Sequence, residues 1–242
     1  MQHDTLTALI DKAIFDYHLI QDGDRIVVGA SGGKDSSLLV EYLADRMKRF
    51  SGHCAANEPR FTFTAVNIQT ELGECFSESL VKQFADWGVV PVIQKIEVLS
   101  RLKQGRAMNC YWCSTQRRKE LLEYAITNHY NKIALGHHLD DILETLIMNQ
   151  IERGELSTMP VTLKYEKYPV TIIRPLCYVP VDMITRFAEQ EGWKSSTCTC
   201  TYQDNSGRRD ARKKLEVLTD GEYAKKMRLF NSLKNIQPHY LP

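Results

Sequence analysis

No stretch of this 242-residue chain approaches the roughly 20 consecutive apolar residues that a bilayer-spanning helix requires. The first residues, Met1 to Ala13, carry Asp4 and Asp11 and hold no apolar core of signal-peptide type. The expected compartment is therefore cytoplasmic, with no membrane partner. An excess of one charge is missing too. The 31 Lys and Arg stand against 30 Asp and Glu, a net charge of +1 that provides no global attraction for nucleic acid. Internal repeats and low-complexity tracts are absent, which excludes solenoids and biased linkers. An even, export-type cysteine set is also lacking: seven is an odd count, against a disulfide scaffold and for thiol or metal chemistry. What remains is ordinary globular composition, 43% hydrophobic and 25% charged, in a chain long enough for one large core. One domain is expected over residues 1–217, followed by a tail over 218–242.

The densest information lies in Ala30-Ser31-Gly32-Gly33-Lys34-Asp35-Ser36-Ser37, directly after the apolar run Ile26-Val27-Val28. The run reads as a buried parallel strand, and Leu38-Leu39-Val40 as the start of a helix. Adjacent glycines let the backbone turn sharply and approach a ligand closely. Exposed N–H groups at a helix start attract anions, Lys34 adds a full positive charge, and the serines add hydroxyl donors. The pattern is a phosphate cradle, but not the common one, G-x-x-x-x-G-K-S/T. An ordinary Gly-Gly loop is the bland alternative; the strand before and helix after argue against it. The string Ser-Gly-Gly-Lys-Asp-Ser resembles the pyrophosphate loop of enzymes that cleave ATP to AMP and pyrophosphate while adenylating a carbonyl oxygen.

Along the chain, helices are expected at 5–19, 36–50, 77–87, 115–128, 140–150 and 180–192. Strands are expected at 25–29, 61–68, 89–96 and 132–135. A loop is expected at 51–60, a hairpin over 161–173 turning at Glu166-Lys167, and a basic helical tail from Arg209. Alternation of this kind predicts an α/β fold, a doubly wound parallel sheet of Rossmann-like type. Ligands of such sheets bind beyond the carboxyl ends of the strands, so the loop, Asn67 and Gly136-His137 should share one rim.

The segment Gly136-His137-His138-Leu139-Asp140-Asp141-Ile142-Leu143-Glu144 follows the fourth strand. Placed on a helix, His137 and Asp141 are four residues apart, as are Asp140 and Glu144, forming two polar ridges. Carboxylates beside a phosphate site suit Mg²⁺. Helix capping is the plainer reading, since acids in a first turn favour the dipole. Asp35 and Asp141 are the expected Mg²⁺-side carboxylates, with Asp140 and Glu144 in support.

Cys110-Tyr111-Trp112-Cys113 stands at the mouth of a helix, and Cys198-Thr199-Cys200 comes much later. Such thiols can form a redox pair, a Cys₄ zinc site or part of an iron–sulfur site. Cys54, Cys75 and Cys177 read as ordinary small buried or half-buried residues. Basic runs lie at Arg117-Arg118-Lys119 and at Arg208-Arg209 with Arg212-Lys213-Lys214. Such runs are usually solvated faces, but their position beside the cysteines favours phosphate contacts.

Together these motifs resemble one family, the tRNA 2-thiocytidine synthetases of the PP-loop group. The matching features are Ser31 to Ser36, Ala65-Val66-Asn67, Cys110-x-x-Cys113 with Arg117-Arg118, Lys132 to His138 with Asp140 to Thr145, Met159-Pro160, and Ile173-Arg174-Pro175-Leu176. The likeness spans roughly residues 20–215. It implies an ATP-dependent sulfurtransferase that adenylates a pyrimidine carbonyl oxygen and replaces it with sulfur on an anticodon-loop cytidine. It implies ATP, Mg²⁺ and a 4Fe-4S cluster as cofactors, and tRNA with a sulfur donor such as a cysteine desulfurase as partners; a homodimer is left open. ATP binding falls to Ser31, Gly32, Gly33, Lys34, Asp35, Ser36, Asn67, Gly136, His137, Asp141 and Arg174. Catalysis falls to Lys34, Asp35, Asp141 and the cluster cysteines Cys110, Cys113 and Cys200. RNA contacts fall to Arg117, Arg118, Arg208, Arg209 and Arg212. The family pattern ends on a second C-x-x-C; aligning Gln203 with the family glutamine selects Cys200 as third ligand and makes Cys198 a bystander. The remaining alternatives are thiolation of a uridine or a small molecule, or a non-catalytic nucleotide-binding protein with structural zinc.

Overall fold

The computed structural model describes residues 2–50, 59–72, 76–103, 105, 107–193 and 206–240. The expected loop at 51–60 falls largely outside them, as do Cys54, Cys75, Cys198, Cys200 and Gln203.

Six strands form one sheet: β1 (Asp24–Gly29), β2 (Phe61–Thr70), β3 (Val92–Ile96), β4 (Lys132–Ala134), β5 (Thr162–Lys164) and β6 (Thr171–Ile173). Their spatial order is β3-β2-β1-β4-β6-β5. All pairings are parallel except β5 with β6, so the expected hairpin forms the sheet's edge. The strands are apolar because both faces are covered, as a parallel sheet requires. Ile26, Val28, Ala134 and Ile173 pack into one core, while Val27, Ile133 and Ile172 point to the other.

The helices are α1 (Gln2–Tyr17), α2 (Lys34–Phe50), α3 (Glu78–Asp86), α4 (Cys110–Thr127), α5 (Leu139–Met148), α6 (Val181–Gln190), α7 (Ser206–Thr219) and α8 (Tyr223–Ser232). Residues of α1, α2, α3, α5, α6, α7 and α8 join the larger core, with Leu38, Phe84, Ile142, Phe187, Leu215 and Phe230 among them. Helix α4 covers the opposite face through Leu121 and Ala125. It begins at Cys110, five residues before the sequence expectation, because the Asn109 side chain accepts the Trp112 N–H at 2.8 Å and caps it there. Strand β3 begins at 92 rather than 89. The Val89 N–H is taken by Phe84 O at 2.8 Å in the turn that ends α3, and Pro91 has no N–H to offer a ladder.

Crossovers lead from β1 outward to β2 and β3, then return to β4 on the other side of β1. The carboxyl ends of β1 and β4 therefore flank a topological switch point, where open α/β sheets open a ligand crevice.

Candidate active site

At the switch point, β1 runs out at Gly29 and the chain turns through Ser31-Gly32-Gly33 into α2. Gly32 has φ +86°, a left-handed conformation that a side chain would strain. Ser36 Oγ donates to Gly33 O at 2.9 Å, Ser31 Oγ lies 3.1 Å from Ser36 Oγ, and the Gly33 N–H reaches Ser31 Oγ at 3.4 Å. The loop is thus tied by its own hydroxyls, and the buried Ser36 is one of those ties. Lys34 Nζ lies 2.9 Å from Asp35 Oδ1.

Gly136 closes the other side. A Cβ there would stand 3.0 Å from Asp35 C, Asp35 O and Ser36 N, so the two loops touch backbone to backbone. Asn67, three residues before the end of β2, donates its side-chain amide to Ala30 O at 2.7 Å and ties β2 to the chain just beyond β1. These contacts open a cleft of about 190 Å³ lined by Ala30, Ser31, Asn67, Ser114, Arg118 and His137, with Gly29, Val66, Ile68, Arg117, Leu121 and Leu135 completing it.

His137 stands before the helix. Helix α5 starts at Leu139 with His138 as its N-cap, so the expected i,i+4 pairing of His137 with Asp141 on a helix does not form. His138 Nδ1 accepts the Asp141 N–H at 3.3 Å, and the Asp141 carboxylate accepts the His138 N–H at 3.2 Å, a reciprocal cap. Asp141 therefore fills the capping role that the plainer sequence reading assigned to it. His138 Nε2 sits 3.4 Å from Asp141 and 4.0 Å from Asp35, and so joins the two acids. Sequence reasoning did not separate His138 from its neighbour; the signal it missed is a cap residue three positions before an Asp.

Asp140 and Glu144 are each engaged by a cation from a C-terminal helix. Asp140 is buried, takes Lys226 Nζ at 2.7 Å and accepts the Val181 N–H at 2.8 Å. Glu144 is buried and takes Arg212 Nε at 2.7 Å. Arg208 reaches Asp141 Oδ1 at 3.3 Å. Two of the arginines expected at RNA, Arg208 and Arg212, thus tie α7 to α5 while remaining exposed, as Arg209 is.

Arg174 is buried at the end of β6. It donates Nε–H to His137 Nδ1 at 3.3 Å and a second N–H to Pro160 O. Because Nδ1 accepts, the His137 proton sits on Nε2, a donor on the cleft wall. Burial pushes the His137 pKa down to about 4, with Arg174, Arg208 and Arg118 adding to the effect against Asp141. Burial, then Arg118, pushes Arg174 down to about 10. Among the described residues no carboxylate pairs with Arg117, Arg118 or Arg174 in an ion pair. The buried Arg174 and half-buried Arg117, cations without counter-charge, favour an anionic ligand, and the exposed Arg118 adds its charge beside them.

The wall opposite the glycine loop is α4. At 100° per residue, its cleft-lining residues Ser114, Arg117, Arg118 and Leu121 cover an arc of about 100°. Cys110 falls inside that arc and Cys113 about 40° beyond it, one turn nearer the helix start. Both thiols are partly exposed. Among the described residues no third Cys, His, Asp or Glu joins them in a metal-binding group. Cys177 is buried and its thiol is pushed up to about 12 by that burial, in keeping with an inert core residue. Among the described residues no helix is long and apolar enough to cross a membrane.

A glycine loop at the switch point of a parallel sheet, facing unpaired guanidiniums, defines a nucleotide-binding α/β protein, and the PP-loop domain profile matches residues 3–215. A tRNA-cytidine(32) 2-sulfurtransferase of Geotalea uraniireducens is 32% identical over 237 residues, covering 96% of this chain and 91% of the relative. One from Syntrophotalea carbinolica is 33% identical over 239 residues, covering 96% and 89%. The U34-tRNA thiolase NcsA from Methanococcus maripaludis, solved with its 4Fe-4S cluster, has the same fold. Its TM-score is 0.74 at 22% identity, covering 98% of this chain and 81% of that one. The chain belongs to the tRNA-cytidine(32) 2-sulfurtransferase family of ATP-using PP-loop enzymes.

Proposed function

We propose that this protein is an ATP-dependent tRNA sulfurtransferase that 2-thiolates an anticodon-loop cytidine. One observation carries the reading: the α4 wall that bears Cys110 and Cys113 also lines the cleft beside the phosphate loop. Sulfur chemistry and ATP chemistry would thereby act on two bonded atoms of one base, C2 and O2.

The pyrimidine O2 attacks the α-phosphorus of ATP, and pyrophosphate leaves. The loop amides and Lys34 hold the departing phosphates, supplying preorganised positive charge where negative charge develops. Arg118 and Arg174 add to that field, and the His137 Nε2–H is a neutral donor that needs no proton exchange at physiological pH. Asp35 and Asp141, facing each other across His138, are the carboxylates proposed to hold Mg²⁺, directly or through water. That role requires Asp35 to share its oxygen with Lys34 and Asp141 to release Arg208. Sulfur then adds at C2 and AMP departs with the former carbonyl oxygen.

The cysteine pair fits two corners of an iron–sulfur cluster, being three residues apart on one partly exposed helix turn. Cys200, outside the described residues, is proposed as the third ligand. Such a cluster, with three thiolates, would supply an open iron position able to carry sulfide. A donor such as a cysteine desulfurase would provide the sulfur.

Nucleoside mass spectrometry of tRNA from a strain lacking the gene tests the reading; 2-thiocytidine should vanish and return on complementation. Persistence of 2-thiocytidine, or loss of a thiouridine instead, would overturn the assignment. Iron content after anaerobic reconstitution tests the ligands. It should collapse in Cys110→Ala, Cys113→Ala and Cys200→Ala and survive in Cys198→Ala. Zinc in place of iron would remove the sulfur-carrying role.

A further inference from the structure

Between the two cysteines stands Tyr111, a large aromatic side chain that is 79% exposed on a helix that otherwise packs against the sheet. A scattered exposed aromatic means little by itself. Its position is what matters. Tyr111 and Arg118 are seven residues apart on α4, so they share a stripe to within about 20° and stand about 10 Å apart along the axis. Arg118 lines the cleft, and so does Ser114, one turn below Tyr111. Helical side chains lean toward the helix N-terminus, so the Tyr111 ring extends the cleft wall outward at its mouth. Two intrahelical bonds steady that turn: Ser114 Oγ and Thr115 Oγ1 donate to Tyr111 O at 2.9 and 2.8 Å.

The geometry points to Tyr111 as a stacking platform for a nucleobase of the bound RNA loop, at the entrance to the ATP cleft. This rests on the tRNA reading above and adds to it the side chain that receives the base. Single-stranded loop bases are recognised by stacking on aromatic rings, while cations hold the backbone. Here Arg118 supplies a cation on the same stripe below the ring, and Arg117 a second one on the cleft wall about 120° round the helix. Phenylalanine preserves the stacking face and alanine removes it. Tyr111 has no core role to lose, because its ring is outside the packed interior.

The test uses the full-length protein and an anticodon stem-loop hairpin carrying 2-aminopurine beside the target pyrimidine. Wild type and Tyr111→Phe should quench the 2-aminopurine fluorescence and bind with equal affinity. Tyr111→Ala should lose the quenching and bind about 5- to 150-fold more weakly, the range set by one base–aromatic stack. The KM for ATP and the melting temperature should not move in either variant. Equal quenching and affinity in wild type and Tyr111→Ala would overturn the platform while leaving the tRNA reading intact. Failure of the wild type itself to bind the hairpin would overturn both.

Discussion

Replacing Gly136 with alanine should damage the nucleotide site from a position that carries no functional group. The added Cβ would stand 3.0 Å from three backbone atoms of Asp35 and Ser36, where ordinary contact begins at 3.4 Å. Backbone cannot rotate aside as a flexible side chain can, so one of the two loops must shift by several tenths of an ångström. Overpacking of this kind costs about 1–3 kcal/mol, and in a domain of this size each kcal/mol lowers the melting temperature by about 2–4 °C. The shift falls on the loop that orients phosphates, and displacements of up to about 1 Å cost up to about 100-fold in rate. Calorimetry and a pyrophosphate-release assay should therefore show a loss of about 2–12 °C and a drop in kcat/KM of about tenfold or more. Gly33→Ala is the internal control. Its Cβ would meet only Ser31 Oγ, at 3.6 Å, so it should melt like wild type and still lose activity through crowding of the phosphates. Wild-type melting and turnover in Gly136→Ala would refute the tight junction between the two loops.

Lys34→Ala should abolish pyrophosphate release, by about 100-fold or more, with circular dichroism unchanged, because the side chain is partly exposed and its one ion pair among the described residues is with Asp35; wild-type release would sink its assignment. His137 should remain neutral above about pH 4. Its folded pKa lies below the unfolded value of about 6.5, so the unfolded chain binds the extra proton between these limits. The residue's contribution should therefore raise stability as pH rises from about 4 to 6.5, and His137→Gln should flatten that part of the profile; an NMR titration of His137 near its ordinary pKa would contradict it. Lys226→Ala should strand the buried Asp140 carboxylate and cost about 3–5 kcal/mol in denaturant unfolding, although Lys226 lies in α8, far along the chain from the phosphate loop; a loss below about 1 kcal/mol would refute the buried pairing.

The chain order of chemistry was legible without coordinates. Ile26-Val27-Val28 before Ser31-Gly32-Gly33-Lys34 makes strand, turn and helix, since β-branched runs, adjacent glycines and a following apolar helix each act locally. The same holds for the α/β alternation and for Cys110-x-x-Cys113 at a helix mouth. Tertiary structure decided which polar groups face the cleft. Asp140, Asp141 and Glu144 look alike in sequence, yet Lys226, His138 with Arg208, and Arg212 divide them, and those partners lie up to 86 residues away in the chain. The basic runs divided in the same way: Arg117 and Arg118 joined the cleft wall, whereas Arg208 and Arg212 became clamps. Local sequence determines helix, strand and turn because those depend on neighbours a few residues apart. Which charge is neutralised by a partner and which remains for a ligand depends on where separate helices dock, and only the packed sheet settles that.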